Sequence, residues 1–200
     1  MGRPREHDER TAAALLTLAE QTIAGHGVGA LAVRELAHSA GTTTRAIYSL
    51  FGSKDGLLAA LAASGFELLR EGLDAIAVTA DPRGDLVEAA LMFRRFALGR
   101  PALFSICFQR ADPTLRPRYR ETATEVFGAL ERRFEPLATA HRLGGRTIRE
   151  AASQFHALCE GLAALELRGS LVAPDPEQIW RSACGALIAG FAHLAQSTAP

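Results

Sequence analysis

An all-α fold of about nine helices is expected from three features of the chain. Apolar residues recur at intervals of three, four and seven along most of its 200 residues. No stretch alternates apolar and polar residues in the every-second pattern of a half-buried strand. Gly and Pro fall mostly between the periodic runs, where they break helices. Hydrophobic residues make up 48% of the chain, enough for a sizeable core, and ten of the thirteen aromatics are Phe.

The first run, about 8–25, places Ala12, Leu15, Leu16, Ala19 and Ile23 on one face, and Gly25, Gly27 and Gly29 end it. A short second run over 33–40 is broken by Gly41. Its start lacks a cap. Ala32 stands where Ser, Thr or Asp would accept a first-turn amide, and Glu35 is half of a capping box without its partner. Thr43 caps a third helix of about 44–51, and Gly52 stops it. Ser53 caps a fourth of about 54–79, which Asp81-Pro82 ends. A fifth run, 83–99, carries Leu86, Ala90, Phe93, Phe96 and Ala97 on one side. Arg100-Pro101 opens a short sixth over 101–109, and Pro113 and Pro117 bracket a turn. A seventh of about 117–140 ends near Gly144-Gly145, and an eighth of about 146–168 ends at Gly169. The ninth, about 175–196, aligns Ile179, Trp180, Ala183, Leu187, Phe191 and Leu194 in one stripe.

Formal net charge is zero, so overall electrostatics do not announce nucleic acid. Residues 1–60 balance six basic side chains against six acidic ones, which excludes a strongly basic, nonspecific DNA binder. Any such interface must come from local placement. No run of about 18 apolar residues exists to span a membrane, and the opening MGRPREHDER lacks a signal peptide's apolar core. Cys107, Cys159 and Cys184 are scattered, with no CxxC spacing, which suits small buried thiols in a reducing compartment. A cytoplasmic protein without membrane contacts or cofactors is expected.

Residues 33–58, VRELAHSAGTTTRAIYSLFGSKDGLL, carry the most information. They describe two short helices joined by a glycine turn, then a loop holding Lys54, the only lysine in the chain. Ala37 is small enough to let the helices approach, Gly41 accepts a left-handed turn, and Ile47 is the buried aliphatic that fixes the second helix. That spacing is a helix-turn-helix, a motif that pushes one helix into the major groove of DNA.

The stretch 31–61 resembles the TetR family of transcriptional regulators. LAVRELAHSAG is followed by TTTRAIYSLFGSKDGLL, matching the family's glycine turn, a helix with Tyr near its end, then Phe, Gly, Ser, Lys, an acid and a leucine pair. The resemblance implies nine or more helices, a homodimer on a palindromic double-stranded operator, and a repressor released by a small effector. It also implies a DNA-binding domain over 1–54 and a ligand-binding and dimerisation domain over 55–200.

The residues make physical sense in that role. Thr43 and the free amides of the third helix can hold a phosphate. Tyr48 can donate its phenol to a phosphate oxygen, and Lys54 is a point charge for the backbone. A cation at a helix N-terminus opposes the macrodipole, which points to a partner outside the chain. Thr44, Arg45 and Ser49 take the outward positions that read bases, and Arg45 can bond guanine bidentately. Arg34 can reach a base or a phosphate. The arm Gly2-Arg3-Pro4-Arg5, too polar to pack, offers Arg3 and Arg5 to a groove.

In the C-terminal half, 93–108 and 155–169 resemble a TetR C-terminal subfamily named for Trp, His and Gly. Gly161 is kept, while His156 and Glu160 stand where Trp and His would be. Phe93, Phe96, Phe104, Phe108, Phe127, Phe134 and Phe155 crowd the fifth to eighth helices, as core or, for some of them, as the lining of a cavity for an apolar or aromatic effector, with His156, Cys159 and Glu160 as polar handles. His156 and Glu160 are spaced for a metal pair, but a third ligand is missing, so no metal is expected. Ala151, Ala152, Leu158, Leu162 and Leu165 on the eighth helix and the stripe on the ninth, which also takes in Gly190, would form a four-helix dimer interface. Two other readings remain: an all-α regulator acting through a protein partner, and a small-molecule enzyme. Against the second, no nucleophilic triad order, paired carboxylates or phosphate-cradling glycine loop is present.

Overall fold

In the computed structural model, the backbone is described for residues 4–109 and 116–194, and side chains there except those of 4–7, 116, 118, 193 and 194. Among the described residues every regular element is a helix and there is no strand. In order they form α1 (Pro4–His26), a 3-10 turn (Val28–Ala30), α2 (Val33–Ser39), α3 (Thr44–Phe51), α4 (Lys54–Ala75), α5 (Pro82–Gly99), α6 (Pro101–Phe104) running into a π-type turn (Ser105–Gln109), α7 (Arg116–Thr139), α8 (Ile148–Leu167) and α9 (Pro176–Leu194).

Two compact units emerge: Met1–Phe66 with Arg100–Ala123, and Glu67–Gly99 with Thr124–Pro200. The chain passes between them three times, within α4, between α5 and α6, and within α7.

The first unit is built on the apolar face of α1. Leu15, Ala19 and Ile23 are buried with Leu31, Leu36, Ala37, Ile47, Leu57 and Leu61. Arg100 ties α6 back to α1 through a two-pronged pair with Glu20, at 2.5 and 2.6 Å. Helix α1 begins at Pro4, four residues before the expected start. Pro4 and Arg5 are therefore helical backbone rather than an extended arm, and proline's fixed φ suits a first helical turn. Arg3 lies outside the described residues.

The second unit centres on α5, α8 and α9, which pack against one another. Leu86, Ala90, Phe93, Phe96 and Ala97 of α5 are buried, as their spacing predicts. Helix α4 stops at Ala75 rather than near 79, because residues 79–85 are drawn into the start of α5. There Thr79 donates its amide and hydroxyl to Asp85 (2.8 and 2.7 Å), while Asp81 accepts from the Arg83 amide at 3.2 Å. Helix α8 begins at Ile148 behind a complete capping box between Thr147 and Glu150.

Helix α2 has no such device. Ala32 has extended cap geometry (φ −103°, ψ 122°) with no side-chain bond to the first turn, and Glu35 is exposed at the third position. Ala32→Ser is expected to complete the box and raise the unfolding free energy by about 1 kcal/mol, read from urea denaturation.

Candidate nucleic-acid interface

The geometry starts at Gly41. Helix α2 ends with Gly41 at φ +61°, its amide donating to His38 O (3.1 Å) and the Thr42 amide to Ala37 O (2.9 Å). This is a Schellman turn, and a residue with a Cβ would be strained there. The chain emerges extended at Thr43 (φ −114°, ψ 155°), whose hydroxyl oxygen accepts from the Ala46 amide at 3.2 Å. The hydroxyl proton of Thr43 remains available to a second acceptor.

Helix α3 is eight residues long, and Ile47, with no exposed surface, is the residue it buries. Ala37, 3% exposed, lies on α2, which packs on α3. Everything else on α3 is available at least in part. Thr44, Arg45 and Ser49 are exposed, Ala46 is half-buried, and Tyr48 exposes 51% of its surface. Gly52 closes the helix at φ +74°. Ser53 then caps α4, its hydroxyl accepting from the Gly56 amide at 3.0 Å, and Lys54 stands half-buried in the first turn. Arg34 is exposed on the first turn of α2. The expected face is thus assembled around one short helix, with a polar, outward surface of two threonines, a serine, an arginine and a tyrosine.

The aromatic residues sort into two groups. In the first unit, Phe104 and Phe108 stack at 5.5 Å, and Phe66 meets Phe108 and Tyr119, each at 5.6 Å. In the second, His156 sits edge-on to Phe93 (5.8 Å) and Phe127 (6.4 Å), with Phe96 beside Phe93 at 6.5 Å. Phe155 belongs to a buried cluster with Phe134 and, through it, Phe191. Helical spacing could not reveal this partition, and Phe66, Tyr119 and Phe191 were not in the expected set.

Burial pushes the His156 imidazole below its ordinary pKa, so the ring is neutral at neutral pH. Its 3.5 Å approach to Glu160 is then a contact rather than an ion pair. Burial also raises the Glu160 carboxyl. Among the described residues no group of three His, Cys, Asp or Glu side chains could hold a metal ion. The three cysteines are free and buried. Cys159, 1% exposed, donates to Cys184, and that bond with burial pushes its thiol up.

The sequence of the first half matches the model of bacterial regulatory proteins of the tetR family over residues 15–61, and that of the second matches the tetracyclin repressor-like C-terminal domain over 86–187. The chain belongs to the TetR family. As a TetR-family protein it is a DNA-binding transcriptional regulator. Many solved structures share its fold, among them the following three. A protein of unknown function from Rhodococcus sp. RHA1 superposes with a TM-score of 0.81 at 25% identity, covering 91% of this chain and 95% of that one. A TetR-family regulatory protein from Rhodococcus RHA1 gives 0.71 at 19%, covering 90% and 96%. FadR from Bacillus subtilis, in complex with stearoyl-CoA, gives 0.75 at 17%, covering 89% and 98%. No curated protein matches the chain.

In this TetR-family chain the stripes on the last two helices are partly spent inside the protomer. Ala151, Ala152, Leu162, Trp180 and Phe191 are buried in the second unit, a correction to their assignment to a dimer interface. Leu158, Ala183, Leu187 and Gly190 are half-buried, and Leu165 is 37% exposed. Leu194 has no described side chain. Among the described residues no helix is long and apolar enough to cross a membrane.

Proposed function

We propose that the chain is a homodimeric repressor that holds a two-fold symmetric operator with its paired α3 helices and is released by an apolar or aromatic effector. The outward surface of α3 supports this most strongly: its one anchor is Ile47, and Thr44, Arg45, Tyr48 and Ser49 are left to solvent. Arg45 reads guanine, with Thr44 and Ser49 at neighbouring base edges. Thr43, Tyr48 and Lys54 hold phosphates, and Arg34 supports them from α2. Arg3 and Arg5 extend the contact along the groove. In this reading 1–54 is the DNA-binding domain and 55–200 the effector and dimerisation domain. The partner copy covers Leu158, Leu165, Ala183, Leu187 and Gly190 on α8 and α9. The effector sits against Phe93, Phe127 and His156, and Phe96, Phe104, Phe108, Phe155 and Cys159 shape the surrounding core. FadR, similar in fold, binds an acyl thioester, which supports an apolar ligand here. Such a ligand works by binding more tightly to the state that cannot span both half-sites.

Lys54→Ala tests the phosphate assignment. Its operator affinity is expected to fall on every sequence, with the log–log salt slope smaller by about 1. An unchanged slope removes Lys54 from the interface. A second reading, a regulator working through a protein partner, draws on the balanced charge of residues 1–60 and the uncapped α2. It predicts affinity for DNA that is weak and indifferent to sequence.

A further inference from the structure

Helix α8 carries three acids, Glu150, Glu160 and Glu166. Glu150 is spent on the Thr147 cap, whose amide and hydroxyl donate to it at 2.8 and 2.9 Å. Glu166 is spent on Arg94 and Trp180. Glu160 differs. Among the described residues no arginine or lysine pairs with it, and its ion-pair contact is His156 Nε2 at 3.5 Å. That imidazole is neutral, because burial holds it below its ordinary pKa, so it supplies no charge. Burial also raises the Glu160 carboxyl, as expected of an anion that has lost water without gaining a cation.

Aromatic rings frame this pair. His156 is edge-on to Phe93 of α5 at 5.8 Å and to Phe127 of α7 at 6.4 Å. Phe127 already holds one cation on its ring. The Arg149 guanidinium lies 5.4 Å from its centroid, and Glu131 answers that charge at 3.4 Å. The place is open to a ligand: the His156 and Glu160 side chains are 28% and 37% exposed, and Phe127 is half-buried.

A head group arriving there meets two acceptors, Glu160 Oε2 and, with the imidazole proton on Nδ1, His156 Nε2. An ammonium has three donors and a full positive charge, so it bonds both and neutralises the carboxylate. Partial loss of water strengthens that attraction, and a phenyl face within about 6 Å adds to it. An alcohol brings a donor without the charge. A carboxylate meets the Glu160 charge and is repelled.

We propose that the effector is a primary amine on an apolar or aromatic body, its ammonium held by Glu160 and His156 and its body against Phe93 and Phe127. This rests on the reading that seats the effector beside those rings, and it adds the class of the head group.

Calorimetric titration of the full chain with phenylbutylamine, phenylbutanol and phenylbutyrate keeps one body and varies the head. The amine is expected to bind saturably and about tenfold or more tighter than the alcohol, with the carboxylate weakest. Glu160→Gln keeps the shape and an acceptor and removes the charge. It is expected to cut the amine's advantage over the alcohol to about twofold or less. Phe127→Ala is expected to weaken the amine and the alcohol together, by roughly threefold or more, with an unaltered circular dichroism spectrum. An amine no tighter than the alcohol, or a Glu160→Gln protein that keeps the full preference, would overturn the head-group assignment and leave the site standing. Binding of none of the three compounds, or a Phe127→Ala protein that binds them like the parent, would overturn the site and this proposal with it.

Discussion

Trp180→Ala is expected to lower the unfolding free energy by about 3–5 kcal/mol. Trp180 has no exposed surface, so truncation opens a cavity among α5, α8 and α9. The indole also does polar work. Its Nε1 donates to Glu166 at 2.8 Å, and the same carboxylate takes three contacts from Arg94 at 2.7 to 3.2 Å. Arg94 and Glu166 side chains are 18% and 11% exposed, so the pair is partly shielded from water. The Arg94 hydrogen bonds, with help from Trp180, outweigh burial and hold the Glu166 carboxyl below the usual carboxylate range. Trp180→Phe keeps most of the apolar contact and loses the donor, so a smaller cost of about 1–2 kcal/mol is expected. Trp180 is the only tryptophan, so urea unfolding should be followed by circular dichroism at one fixed protein concentration. A loss under about 1 kcal/mol for the alanine variant would mean that α9 is not anchored there.

Arg45→Ala is expected to have the largest effect on DNA. A bidentate contact to guanine discriminates by about 1–3 kcal/mol, so specific affinity should fall roughly 5- to 150-fold. Affinity for unrelated duplexes should change little, because the proposed role of Arg45 is to read a base edge while other residues hold the phosphates. Lys54→Ala should show the opposite pattern, a uniform loss. Competition binding with specific and random duplexes distinguishes them. Equal loss on both duplexes for Arg45→Ala would move Arg45 to the backbone.

The helix-turn-helix was legible because local chemistry defines it. Thr43 and Gly52 bound α3 at the expected residues, and Gly41 carries the turn. All three act through their own backbone neighbours, so sequence proximity is spatial proximity. The start of α8 was equally local, written in Thr147 and Glu150. Other features depend on distant partners. Arg94 and Glu166 are 72 residues apart, and no periodicity joins them. The Phe residues share a helical spacing, yet Phe104 and Phe93 serve different units, which only the path of the chain decides. The π-type turn over Ser105–Gln109 replaces the end of an expected helix, with Cys107 donating to Ala62 O at 3.5 Å. Arg133 carries no local signal of its role, because the carbonyls it caps, those of Leu73 and Ile76, lie 60 and 57 residues upstream.

Selection of bound duplexes from a random pool by the purified chain tests the central claim most directly. The account predicts enrichment of a two-fold symmetric consensus, with guanine at the positions that lose their preference when the selection is repeated with Arg45→Ala. A pool that stays random, or a consensus that Arg45→Ala leaves intact, would contradict it.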